Sequence, residues 1–177
     1  MKFKKFTQFV NEQNYDLRRY GIKELRDGLT FEELDDLHFW IFEEARTMDA
    51  ILGKKGRELV WYNGIFNDGM WYGGIWKDGV WKNGEWENGE WEKGTWENGH
   101  WADGVWKNGL WQDGVWQDGV WLKGTWENGI WEDGIWKGGT WKNGVWEDGV
   151  WKNGVWENGV WENGTWKDRR NPPPDER

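Results

Sequence analysis

Four glutamates, Glu85, Glu87, Glu90 and Glu92, form the densest run of acid over residues 60–167, and His38 and His100 are the only imidazoles of the sequence. Paired carboxylates can act as general acid and base, and histidines can ligate metal, so chemistry would be sought here first. The setting of these residues argues against both roles. Carboxylates recur evenly along this part of the chain, with no unique cluster and no break that would form a pocket. The glutamates therefore read as a solvated acidic patch or as a docking patch for a partner. The two histidines stand about sixty residues apart, whereas a zinc site gathers three or four converging ligands.

Composition narrows the chemistry further. The 177 residues include no Cys, which excludes disulfides, thiolate metal sites and thiol nucleophiles. The sequence also lacks Ser, so a Ser-His-Asp triad is excluded, and no repeat glycine precedes the Lys-Ser or Lys-Thr pair of a P-loop. The chain is expected to be no enzyme and to need no cofactor or metal. Its net charge of −9 would repel phosphate, which argues against direct nucleic-acid binding. No apolar stretch is long enough to cross a bilayer, and Met1 to Val10 has no apolar signal region, so the expected setting is cytoplasmic or virion-associated.

What positions these residues is a repeat. A tryptophan falls on every fifth residue from Trp71 to Trp166, and the beat reaches back through Phe66 to Trp61, with glycine on every fifth residue from Gly64 to Gly164. A unit such as Val155-Trp-Glu-Asn-Gly159 cannot bury its own ring, so neighbouring units must stack. The residue before Trp is usually β-branched and the residue after it usually Glu or Lys. Within the repeats Asn-Gly closes ten units and Asp-Gly seven. Asn, Asp and Gly tolerate positive φ, so the backbone is expected to turn once per unit.

Two folds suit such a unit. The regular inward aromatic resembles the central Leu or Phe of pentapeptide-repeat proteins, with Gly two places before each Trp making room for the larger ring. That resemblance implies an all-β repeat solenoid, a right-handed quadrilateral β-helix with four units per coil and about five coils. The Gly-x-Trp-x-x-Gly spacing at Gly74 to Gly79 also resembles the MORN repeat, which implies an antiparallel meander joined by Asn-Gly type I′ turns. Burial favours the solenoid, because each Trp removes on the order of 200 Å² from water and an open meander would leave the rings on one uncovered face.

The chain divides into a helical capping or docking region over 1–59, the repeats over 60–167, and a Pro-rich tail over 168–177 expected to be disordered. Helical spacing predicts a first helix through Phe3 to Val10 and a second through Leu17, Tyr20 and Leu25. A third starts at the capping box Thr30/Glu33 and runs through Leu34, Leu37, Ile41, Ala45, Met48 and Leu52 to a stop at Gly53. Phe39 and Trp40 flank its apolar face and are candidate partner-binding residues with the four glutamates. Phe6 to Glu12 resembles the leader of internal head proteins of large tailed phages, which implies cleavage after Glu12 and a phage-encoded protein.

The function expected from these features is a non-catalytic repeat protein, serving as a spacer or a protein interaction scaffold for a partner the sequence does not name. The resemblance to pentapeptide-repeat proteins implies an alternative, an acidic DNA mimic that occupies a topoisomerase. A second alternative is carbohydrate binding through the aromatic rings. Self-association stays open. Between the tryptophans, acid and base follow no evident rule.

Overall fold

A computed structural model of the chain describes residues 17–170. The helix expected over Phe3 to Val10, the leader-like Phe6 to Glu12 and the tail beyond Arg170 lie outside the described residues. Among the described residues, no helix is long and apolar enough to cross a membrane.

The repeats form an all-parallel β-solenoid of about seven coils. Each unit contributes one two-residue strand, the β-branched residue and its Trp, and each strand pairs in parallel with the strand fifteen residues on: Val105–Trp106 lies against Val120–Trp121, and Trp116 against Trp131. The antiparallel meander is thereby set aside. Two backbone bonds hold each step, as in Lys107 N–H to Trp91 O at 2.8 Å and Val105 N–H to Gly89 O at 2.9 Å.

The expected square cross-section is corrected by this register. Fifteen residues per coil make three faces, with the first carrying the column Trp61 to Trp166, the second Phe66 to Trp156 and the third Trp71 to Trp161. Ring packing gives the reason. Consecutive indoles meet edge to face, as Trp106 and Trp111 do at 6.0 Å and 73°, inside the range aromatic pairs prefer. A square of such rings would hold its diagonal pairs about 8.5 Å apart and leave an unfilled axis, which close-packed interiors do not tolerate. Along each column the rings stack flat, as Trp106 on Trp121 at 4.8 Å and 6°. Seven coils at that rise give a stem of roughly 34 Å, longer than five coils would make.

Glycine turns every corner. Gly119 has φ +118°, and a Cβ built on it would stand 2.5 Å from Gly104 O of the coil before. Its main role is thus the close approach of backbone to backbone, more than room for the ring. The Asn or Asp before it keeps ordinary φ, since among the described residues Asp27 and Asp49 are the non-glycine residues with positive φ. Its side chain instead bonds the corner, as Asp118 Oδ1 accepts from Gly119 N–H at 2.6 Å.

Before the repeats, the described chain makes a helical turn at 17–19, strand β1 (Ile22–Leu25), helix α1 (Phe31–His38), a one-turn helix α2 (Trp40–Glu43), then strands β2 (Ala45–Lys55) and β3 (Glu58–Trp71). The capping box forms: Thr30 Oγ1 accepts from Glu33 N–H and Glu33 Oε2 from Thr30 N–H. The second and third expected helices are corrected. Leu25 lies in a strand, and the third helix stops before Ala45, where β2 begins.

The edge of the solenoid explains the change. β3 is the whole first coil, pairing on one side with the strands at Ile75, Val80 and Met70's partner Glu85. Its other side would show a row of unpaired peptide groups, an edge that a helix cannot satisfy. β2 runs antiparallel along it from Ala45–Gly69 to Lys55–Glu58, and its register shifts at Arg46/Thr47 and Met48/Ile51 let it follow the corners at Gly69 and Gly64. Gly56, with φ +66°, turns the two-residue hairpin loop. Leu34, Trp40, Ile41, Ala50, Leu52 and Leu59 then join the column ends Trp61, Phe66 and Trp71 in one continuous core.

Candidate interaction surface

The three-unit coil sorts the charges. On the third face the outward positions carry Glu85 and Glu87, then Asp103 and Asp118, then the pairs Glu132/Asp133 and Glu147/Asp148, and finally Glu162, with no Lys or Arg among them. Seven of the nine repeat lysines fall instead on the first face, among them Lys107, Lys137, Lys152 and Lys167 directly after their tryptophans. The second face is mixed, and its corner is a ladder of amides and carboxylates: Asn143 Nδ2 donates to Asn128 Oδ1 at 3.2 Å and Asn83 Nδ2 to Asp68 Oδ1 at 3.2 Å.

Local structure fixes the acidic face. The carboxylates of Asp103, Asp118, Asp133 and Asp148 each accept from the following glycine N–H at 2.6–2.7 Å, so they stand in line along one corner. Tyr72 heads a shallow groove that continues along Glu87, Asp103, Asp118, Glu132 and Asp133. Like charges one coil apart repel, and this face supplies no cation to screen them.

The four glutamates of the densest run do not form one patch. Glu85 and Glu87 flank Trp86 on the acidic face and are exposed, while Glu90 and Glu92 flank Trp91 on the first face and are half-buried. There lysines engage them: Lys107 pairs with Glu90 and lies 3.9 Å from Glu92, and Lys77 reaches Glu92 at 2.8 Å. Lys93 bonds Asp78 at 2.8 Å, and that hydrogen bond holds its ammonium above the usual pKa. Phe39 is 50% exposed, whereas Trp40 is 5% exposed, its ring set edge-on against Trp71 at 5.2 Å. Trp40 thus serves the cap, and Phe39 alone of the pair faces outward.

Sequence reading missed two tyrosines of the cap. Tyr72 donates its hydroxyl to Glu44 at 2.6 Å and Tyr62 to Asp27 at 2.5 Å, and these bonds raise both phenol pKa values. His38, half-buried against the cap, is lowered by burial. The signal for the acidic face was present at a period of fifteen residues, in Glu132/Glu147/Glu162 and Lys137/Lys152/Lys167. Nothing about a single unit says that every third one shares a face.

Among the described residues no group of His, Cys, Asp or Glu is arranged to hold a metal ion. No family model matches the chain, and no curated protein matches it.

Proposed function

We propose that this chain is a non-catalytic scaffold, a rigid tryptophan-cored stem whose third face docks a protein partner bearing a basic surface. The observation that carries the reading is the sorting of charge: carboxylates without a single cation on one face, lysines on another. A rigid row of like charges attracts an oppositely charged partner and sets its register. The repeats are best grouped with pentapeptide-repeat proteins as a variant with Trp in the inward position. The leader-like Phe6 to Glu12 supports a phage-encoded, virion-associated or cytoplasmic protein.

The test separates face from net charge. Glu132, Glu147 and Glu162 are changed together to Gln, and in a second variant Glu97, Glu127 and Glu157 of the second face are changed likewise. The two variants lose equal charge. Binding of a lysine-rich peptide is expected to weaken about tenfold or more in the first and far less in the second. Equal losses would show that only the overall charge matters and would end the reading.

One observation favours a second reading, the DNA mimic. Nine carboxylates from Glu85 to Glu162 span about five coil steps, near one per 3 Å, close to the 3.4 Å spacing along one DNA strand. A mimic would compete with DNA for a gyrase-type topoisomerase, and the Glu132/Glu147/Glu162 variant would compete less; no competition at low salt removes this reading. Sugar binding has less support, because the repeat rings from Trp61 to Trp151 are 0% exposed and offer no platform for stacking.

A further inference from the structure

On the third face one file of rings runs the length of the stem. Six stacked steps lead from Trp161 to Trp71, with centroids 4.7–5.1 Å apart and planes within 10° of parallel. Trp161, in the last coil, is partly exposed. At the other end Trp71 meets Trp40 at 5.2 Å, Trp40 meets Tyr72 at 5.8 Å, and the Tyr72 hydroxyl donates to Glu44.

Indole and phenol are among the side chains most easily oxidised by one electron, and rings in van der Waals contact exchange electrons readily. An oxidised indole is ordinarily trapped where it stands, by losing its N–H proton to a nearby base or water. That trap is missing inside this file. From Trp71 to Trp146 the Nε1 atoms are buried without a hydrogen-bond partner, so the proton stays and the electron vacancy remains free to move. Tyr72 is the reverse case. A phenol gives up an electron most easily when its proton leaves at the same time, and the Glu44 carboxylate is positioned to receive it.

We propose that the tryptophan file from Trp161 to Trp71, continued by Trp40, conducts one-electron oxidation along the stem and delivers it to the Tyr72–Glu44 pair. A one-electron oxidant, such as a metal polypyridyl complex in its oxidised state or a small oxidising radical, takes an electron from Trp161. Each ring in turn passes an electron to the oxidised neighbour, until Tyr72 supplies one to Trp40 and its hydroxyl proton moves to Glu44. The products are the reduced oxidant, a neutral tyrosyl radical and a protonated Glu44, with every indole restored. This activity does not depend on what the acidic face binds.

Tyr72 is itself 44% exposed, so the oxidant must be placed at the far end. The chain has no cysteine, which allows Asn163→Cys, an exposed position beside Trp161, to carry a ruthenium polypyridyl photosensitiser. After a flash with an external electron acceptor, transient absorption is expected to show indole radical converting to tyrosyl radical, at a rate independent of protein concentration. Tyr72→Phe should leave the indole radical and abolish the tyrosyl signal, and Glu44→Gln should slow its appearance. Side routes exist through edge-to-face neighbours, such as Trp116 and Trp121 at 5.9 Å, so one whole layer must be interrupted. Changing Trp111, Trp116 and Trp121 together to Phe, with the fold confirmed by circular dichroism, should confine the radical to the coils between that layer and Trp161. A tyrosyl yield unchanged by that layer, or by Tyr72→Phe, would overturn the proposal, as would indole radicals that decay without any tyrosyl product.

Discussion

Replacing Gly119 with alanine is expected to destabilise the stem by about 3 kcal/mol or more, one of the largest single-residue effects in the molecule. Two costs combine. A side chain at φ +118° is strained, at about 1–3 kcal/mol, and its Cβ would lie 2.5 Å from Gly104 O and 3.0 Å from Gly104 N. Those obstacles are backbone atoms of the neighbouring coil, so no rotamer change relieves them. They also belong to the ladder, because Gly104 O accepts from Val120 N–H at 2.9 Å. The comparison is Asp118→Ala, which removes only the bond from Gly119 N–H to Asp118 Oδ1, for about 0.5–1.5 kcal/mol. Denaturant midpoints measure both. If the glycine variant loses no more than the aspartate variant, the corner is not limited by backbone approach.

The second large effect is Trp116→Ala, expected to cost about 3–5 kcal/mol. Trp116 is 0% exposed and lies between Trp101 at 4.7 Å and Trp131 at 4.8 Å, with edge-to-face neighbours Trp111 and Trp121. Alanine leaves a void that rigid rings above and below cannot close. Because each coil touches only its neighbours, the damage divides the array, and the coils after Trp116 should unfold at lower denaturant than those before it. Hydrogen exchange coil by coil would show the division. Trp116→Phe should be much milder, since Phe66 already stacks beneath Trp81 at 4.1 Å and 5°, and phenylalanine removes a buried N–H that has no acceptor. An alanine variant within about 1 kcal/mol of the parent would mean that the column is not the main source of stability.

These unpartnered indole N–H groups are the least expected property of the core. Buried donors ordinarily find acceptors. Trp121 Nε1 does reach Gly138 O at 3.1 Å, but its neighbours Trp116 and Trp126 forgo such a bond, at a cost of about 1–3 kcal/mol each. The area that each indole removes from water offsets that cost.

Much of the stem was legible because its causes are local. A Trp with Gly two places before it and Asn or Asp two places after it demands a buried ring and a turn in every five residues, whatever lies around it. The Thr30/Glu33 capping box was legible for the same reason. The segment from Ala45 to Lys55 was not. Its apolar spacing through Ala45, Met48 and Leu52 fits a helix, but the first coil needs a strand beside it, and a distant edge outweighs local period.

The sequence by itself determined that the chain would repeat, turn at each glycine and bury its tryptophans, because one five-residue unit already contains those instructions; it favoured a solenoid over a meander, and the parallel register at fifteen residues decided between them. Only the tertiary structure decided how many units close a coil, since that depends on how three indoles meet across an axis far from any one of them in sequence. The same closure decided the surface. Lysines and glutamates that look scattered along the chain fall into separate files once every third unit shares a face, and a ring at Trp161 joins Tyr72 through a column that no linear reading connects.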